Sequence, residues 1–199
     1  MATKKQGGCP IKLLLAIDPL SSGDEILASV IARPWPTGTT AWVVSAVEYA
    51  AVPEKVWQDS AGEIEPVKRA LFQMATDVSN RAVEQLQRAG ISAEAIVKVD
   101  DPRFVIVHEA SEWPADLIFI RAHTFTNLSR WLLGSVAGAV LRDAPCSVEI
   151  VRATVEWSEK AARDGLKIVL GLDGSDFSFA AVQSSGFTSM ARGHKGPTD

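Results

Sequence analysis

Residues 11–30 of the chain read IKLLLAIDPLSSGDEILASV, and this stretch decides the fold. Ile11 to Ile17 is a short, continuous apolar run that ends at Asp18-Pro19 and a turn-rich Ser-Ser-Gly-Asp. A strand with one solvated face alternates apolar and polar residues. A run without that alternation is a strand buried on both faces, as in a parallel sheet. From Ser22 to Ala32 the pattern turns helical. Ser21 or Ser22 can cap this helix, and Asp24 and Glu25 in its first turn suit the positive end of the helix dipole. Pro34 and Pro36 stop it.

The same alternation continues downstream. Thr39 to Val47 (TTAWVVSAV) is β-branched and apolar, a second strand. Glu63 to Ala89 reads as one long helix. Val67, Leu71, Met74, Val78, Ala82, Gln85 and Leu86 recur along it at three- and four-residue steps, and Gly90 supplies the stop. Ala93 to Val99 is a third strand. Asp101-Pro102 opens another helix, with proline in its first turn and Val105, Ile106, Ala110 and Trp113 on its apolar side. Ala115 to Ile120 is a fourth strand, Trp131 to Leu141 a helix and Ser147 to Val151 a fifth strand. Strands that alternate with helices in this way predict an α/β fold, a doubly wound five-stranded parallel sheet with helices on both faces. Ligands of such sheets bind outside the carboxyl ends of the strands, near a topological switch point. Asp18, Arg121 and the loop after it all fall at strand carboxyl ends, so one cleft can hold them together.

The C-terminal part repeats the opening. Set beside residues 11–30, LKIVLGLDGSDFSFAAVQ again has a hydrophobe, a lysine, an apolar run, an aspartate, a turn and an amphipathic start. The interval from Lys12 to Asp18 equals that from Lys167 to Asp173. The expected organisation is therefore an N-terminus at 1–10, one domain at 11–152, a linker at 153–165 and the truncated start of a second repeat at 166–199. A strand is expected from Leu166 to Leu172. One strand and part of a helix cannot bury a core alone, so this segment either docks on a sheet edge or stays poorly ordered.

Composition narrows the function classes. Of 199 residues, 47% are hydrophobic, enough for a core, and the net charge is −4. With no dense basic tract, this balance argues against nucleic acid as a partner. No apolar run reaches 18 residues, so no membrane span is expected. The segment before the first strand lacks the apolar core of a secretory signal. The two cysteines, Cys9 and Cys146, make no disulfide framework, which suits a reducing, cytoplasmic setting. No second histidine or cysteine stands at metal-ligand spacing from His123, and His108 and His194 form no cluster. No Gly-x-Ser-x-Gly, no Gly-Lys-Ser/Thr loop and no catalytic triad is visible, so no enzyme is expected. Trp113 and Trp131 read as packing residues, and Trp35, Trp42 and Trp57 as candidates for an interface or a pocket rim.

Three segments together carry a family resemblance: IKLLLAID, DPRFVIVHEASEWPADLIFI and, most specifically, NLSRWLLGSVAGAVLRDAPCSVEIVR. Through them residues 11–152 resemble the universal stress protein family, and the second Asp-Gly-Ser opening implies a tandem-type member. The resemblance implies a Rossmann-like sheet of the adenine nucleotide alpha hydrolase kind, non-enzymatic action in the stress response and dimerisation. The dimer would form through the fifth-strand edge, at Ser147, Val148 and Ile150. ATP-binding members carry a loop of the form Gly-x2-Gly-x9-Gly-Ser/Thr. Laid on this sequence, its four positions are Arg121, Thr124, Gly134 and Ser135, so the spacing and the Gly-Ser end are kept and the first two glycines are not.

Each of these residues has two readings. Gly134 lets backbone N–H groups approach a phosphate at a helix N-terminus. Ser135 donates to a phosphate oxygen or caps the helix. The guanidinium of Arg121 forks onto a phosphate or another anion, or it fills the nucleotide's space and pairs with a carboxylate such as Asp18. Thr124 is tolerated only where its backbone is ordinary. In ATP-binding relatives the aspartate at the place of Asp18 contacts the nucleoside. Its plain reading is a strand-end residue making turn bonds. Val44 lines an adenine pocket or belongs to the core. The combined expectation is a modified cleft in which ATP binds weakly or not at all, with ATP or another anion as the candidate ligand. The alternative is an ATP-binding regulator with slow or no hydrolysis.

Overall fold

The computed structural model describes residues 9–49, 55, 64–122, 133–152, 169–176 and 178–180. The chain divides into two units, Met1–Arg163 and Asp164–Asp199.

In the first unit, β1 (Lys12–Ala16), β2 (Thr40–Ala46), β3 (Ser92–Lys98), β4 (Leu117–Arg121) and β5 (Ser147–Val151) form one sheet. All pairs are parallel, in the order β3-β2-β1-β4-β5. The helices described from end to end are α1 (Asp24–Ile31), α2 (Ile64–Arg88), α3 (Pro102–Glu112) and α4 (Ser135–Asp143). The doubly wound α/β fold expected from the sequence is the one observed. β1 is central, and Leu13, Leu14 and Leu15 are wholly buried because the strand has neighbours on both edges and helices on both faces.

Two cores lie on opposite sides of the sheet. Leu13, Leu15, Val43 and Phe119 meet α1 through Ile26, Leu27 and Val30, and α2 through Val78, Ala82 and Leu86. Leu14, Val44, Ile118 and Ile120 meet α3 through Val105, Ile106 and Ala110, and α4 through Ala137 and Val140. At the carboxyl end of β1, the buried Ser45 hydroxyl donates to Ile17 O at 2.7 Å and accepts from Ser79 Oγ at 3.0 Å. This joins β1, β2 and α2 without leaving a hydroxyl unpaired in the core.

Several local expectations are corrected. Neither Ser21 nor Ser22 holds the cap position of α1, although Ser22 Oγ accepts from Asp24 N at 3.4 Å. Gly23 stands at the cap with φ 70°, and a Cβ there would come within 2.9 Å of Ile17 Cδ1, so glycine satisfies both backbone and space. On α2 the buried stripe is Ala75, Val78, Ser79, Ala82 and Leu86. Met74 and Gln85, expected on it, face solvent because the 3.6-residue turn carries the stripe through Ala75 and Leu86 instead. Helix α4 begins at Ser135, not at Trp131, which lies outside the described residues. Asp101 does open α3, accepting from Arg103 N at 2.8 Å with Pro102 behind it.

Two tryptophans expected at a rim or interface are packing residues. Trp42 stacks on Trp113 with ring centroids 4.5 Å apart, and Trp35 meets Phe119 edge to face while its Nε1 donates to Val30 O at 2.7 Å. Trp57 lies outside the described residues.

In the second unit the strand expected at Leu166 to Leu172 is not found where the structure describes it. Val169 to Leu172 carry no strand pairing, and Val169 and Leu172 are exposed. A strand needs neighbours to take up its backbone N–H and C=O groups, and the described residues of this unit supply none. Residues 166–168 lie outside the described set. A turn follows at Asp173, then helical conformation at Asp176 and from Ser178 to Ala180.

Candidate functional site

The strand order places the topological switch between β1 and β4, since β2 and β3 follow β1 on one side and β4 and β5 lie on the other. A cleft of about 660 Å³ opens there, at the carboxyl ends of the strands. Its floor is Ala16, Ile17, Val44 and Ile120. One wall is Val67 and Leu71 of α2, and the other is Pro102 and Ile106 at the start of α3. The size falls in the ordinary range for a small-molecule site.

Of the six sequence-predicted site residues, five line this cleft: Asp18, Val44, Arg121, Gly134 and Ser135. Thr124 lies outside the described residues, as does His123. Val44 is a core residue, 1% exposed, that also forms part of the cleft floor.

Asp18 makes the turn bonds of its plain reading. Its Oδ1 accepts from Leu20 N at 2.8 Å, and its carbonyl accepts from Ser21 N and Ser21 Oγ. The side chain remains exposed at the mouth, so the turn fixes it there without burying it.

Gly134 has φ 79° and ψ 157°, a conformation open in practice only to glycine. It occupies the cap position of α4, with no side-chain cap bond. Ser135 is therefore the first helical residue, exposed to the cleft, and the capping reading of its hydroxyl is set aside. The first-turn N–H groups of α4 have no intrahelical acceptor, and Ser135, Val136 and Ala137 all line the cleft.

Arg121 is the last residue of β4, in register with Val151 of β5. Its partner is Glu25, not Asp18: Nη2 lies 3.4 Å from Glu25 Oε1, with the two side chains 41% and 28% exposed. The reason lies in α1. Its first turn carries Asp24 and Glu25 to the same end of the sheet, whereas the Asp18 carboxylate is already engaged by Leu20 N.

Sequence reasoning had assigned Glu25 only to the helix dipole and had not placed Glu48, Val67 or Leu71 in the cleft. A signal for Glu25 was available, because a helix that follows a parallel strand after a tight turn begins over that strand's carboxyl end. Among the described residues no group of His, Cys, Asp or Glu could hold a metal ion. No described helix is long and apolar enough to cross a membrane.

A model of the universal stress protein family matches residues 11–152. Universal stress protein Sll1388 of Synechocystis sp. is 28% identical over 149 residues, covering 71% of this chain and 97% of that protein. Among solved structures, a universal stress protein from Archaeoglobus fulgidus superposes with a TM-score of 0.52 at 21% identity, covering 71% of this chain and 93% of that one. A universal stress protein family protein from Arabidopsis thaliana, solved with AMP bound, superposes with a TM-score of 0.53 at 15% identity, covering 74% and 95%. At these identities the two structures show the shared fold.

Proposed function

Because the chain belongs to the universal stress protein family, we propose that it is a non-enzymatic, cytoplasmic stress-response protein. In this reading it acts as a homodimer whose nucleotide cleft has weak or no affinity for ATP. The observation that carries the reading is Arg121. At the position where the loop of ATP-binding relatives begins with glycine, this chain has a guanidinium that lines the cleft and is paired to Glu25. A phosphate-binding loop needs close backbone approach, and here its first position carries a side chain whose charge is already taken by Glu25 and is not free for a phosphate. In this reading residues 166–199 are the start of a second, tandem-type repeat, following a linker at 153–165.

The test is equilibrium titration of the full chain with ATP and AMP. No saturable ATP binding below millimolar concentration is expected. Micromolar ATP binding that Ser135→Ala abolishes would overturn the reading. It would favour the alternative, an ATP-binding regulator with slow or no hydrolysis. One observation supports that alternative: Gly134 and Ser135 bring a helix N-terminus to the cleft.

The dimer reading is supported by β5, which ends the strand order and so leaves one edge of its backbone unpaired within the sheet. Val148 and Ile150 are half-buried against the α3–α4 core, while Glu149 on the opposite face takes a forked bond from Arg33, with Nη1 to Oε2 at 2.6 Å. Light scattering should give twice the chain mass, and Ile150→Lys should return the single-chain mass. A wild-type chain that is monomeric at high micromolar concentration would overturn this reading.

A further inference from the structure

We propose that Glu25 sets the charge selectivity of the cleft, turning it away from phosphate and toward a neutral, flat, largely apolar ligand of nucleoside size. The proposal deepens the reading of weak ATP affinity and rests on it.

The walls carry the first half of the argument. Ile17, Val44, Val47, Val67, Leu71 and Ile106 give the cleft an apolar interior. Removing a flat heteroaromatic or other apolar surface from water is favoured there without any charge on the ligand.

The mouth carries the second half. Among the described lining residues the charged side chains are Asp18, Glu48 and Arg121. Arg121 is the cation a phosphate would need, and Glu25 Oε1 stands 3.4 Å from it. Counting Glu25, which pairs with Arg121 from outside the lining, the described carboxylates here are Asp18, Glu25 and Glu48 beside the lining guanidinium of Arg121, and Arg103 lies near Glu48. Among the described residues the local balance is negative, so each added phosphate charge meets repulsion from them that adenosine escapes. Glu25 is carried to this place by the first turn of α1.

The anion cradle itself is not lost. Gly134 keeps its glycine-only conformation and α4 still presents its first turn to the cleft. The site therefore holds a latent phosphate position, opposed by Glu25 both directly and through its hold on Arg121. Neutralising Glu25 should free the guanidinium and reveal that position. Removing Arg121 alone should not, because Glu25 is then left unopposed. An obstruction that was purely steric would behave in the opposite way.

The experiment titrates the full chain with adenosine, AMP and ATP at fixed ionic strength, as wild type, Glu25→Gln, Arg121→Ala and the double variant Glu25→Gln/Arg121→Gln. Matched thermal melts report that each is folded. In the wild type, adenosine should bind tighter than AMP, and AMP tighter than ATP. Glu25→Gln should tighten AMP and ATP by about tenfold, the value of one charge-assisted hydrogen bond, while adenosine changes less than twofold in this order-of-magnitude estimate. Arg121→Ala should leave ATP no tighter, and the double variant should lose the gain.

The proposal is overturned if Glu25→Gln tightens adenosine as much as AMP, if it tightens neither nucleotide, or if no probe binds any variant. Those results leave the weak-ATP reading standing. A wild type that binds ATP tighter than adenosine overturns that reading as well.

Discussion

Asp18 and Asp173 stand at the same step of two similar sequences, and their surroundings differ in everything but the turn. In both, the carboxylate Oδ1 accepts the N–H two residues on, at 2.8 Å from Leu20 and 2.9 Å from Ser175. Both turns run on into helical conformation, at Asp24 in the first and at Asp176 in the second. Behind Asp18, however, Leu13 to Leu15 are wholly buried and paired on both sides, whereas Val169 to Leu172 carry no strand and Val169 is 95% exposed. The comparison separates two kinds of structure. The turn is made by one side chain and three residues of backbone, so the local sequence suffices. The strand is a collective property of a sheet and two helical layers, and the apolar pattern alone does not produce it.

The largest test of this contrast is a pair of leucine truncations. Leu15→Ala removes a wholly buried side chain, and it should lower unfolding stability by about 3 kcal/mol. Leu172→Ala removes a side chain that is 58% exposed, and its effect should stay within about 0.5 kcal/mol. Urea denaturation followed by tryptophan fluorescence reads both, with Trp35 and Trp42 packed against the sheet as reporters. Equal losses would break the comparison, because they would mean that the second apolar run is packed as tightly as the first.

The contrast also explains what was legible in the sequence. The five strands and the helices described from end to end follow from apolar runs and helical periodicity, although the buried stripe of α2 runs through Ala75 and not through Met74 and Gln85. Asp18, Arg121 and the Gly134-Ser135 end of the loop could be placed in one cleft because strand carboxyl ends and a glycine before a helix are fixed by topology, whereas Val44 was placed there by the family resemblance. The partner of Arg121 was misread because pairing depends on which carboxylate is already engaged. Asp18 is engaged by its own turn, and Glu25 arrives from a helix whose rotation the sequence does not state. The α2 wall of the cleft was missed for a related reason. Val67 and Leu71 lie on the stripe read as core, and only the packing of α2 shows that its N-terminal half overhangs the cleft. Over its described part, residues 169–172, the apolar run expected as a strand at Leu166 to Leu172 carries none, because no described neighbour pairs with it.

The smallest effect concerns the second turn alone. Asp173 is held below the ordinary aspartate range first by its hydrogen bonds from Ser175, side chain and backbone, and then by the Ser178 hydroxyl. A carboxyl whose folded pKa is depressed binds its proton more readily when the turn is undone. The turn's contribution is therefore present above the unfolded aspartate pKa, about 3.9, and is lost as pH falls through the lower folded value. A carboxyl-detected NMR titration should show Asp173 ionising below the ordinary range, and Ser175→Ala should move it upward. Global stability should not change with it, because the turn is solvent-exposed and no described strand depends on it. An Asp173 that titrates at its ordinary value in the intact chain would mean that the bonds from Ser175 and Ser178 do not hold this turn in solution, and the local half of the comparison would fall.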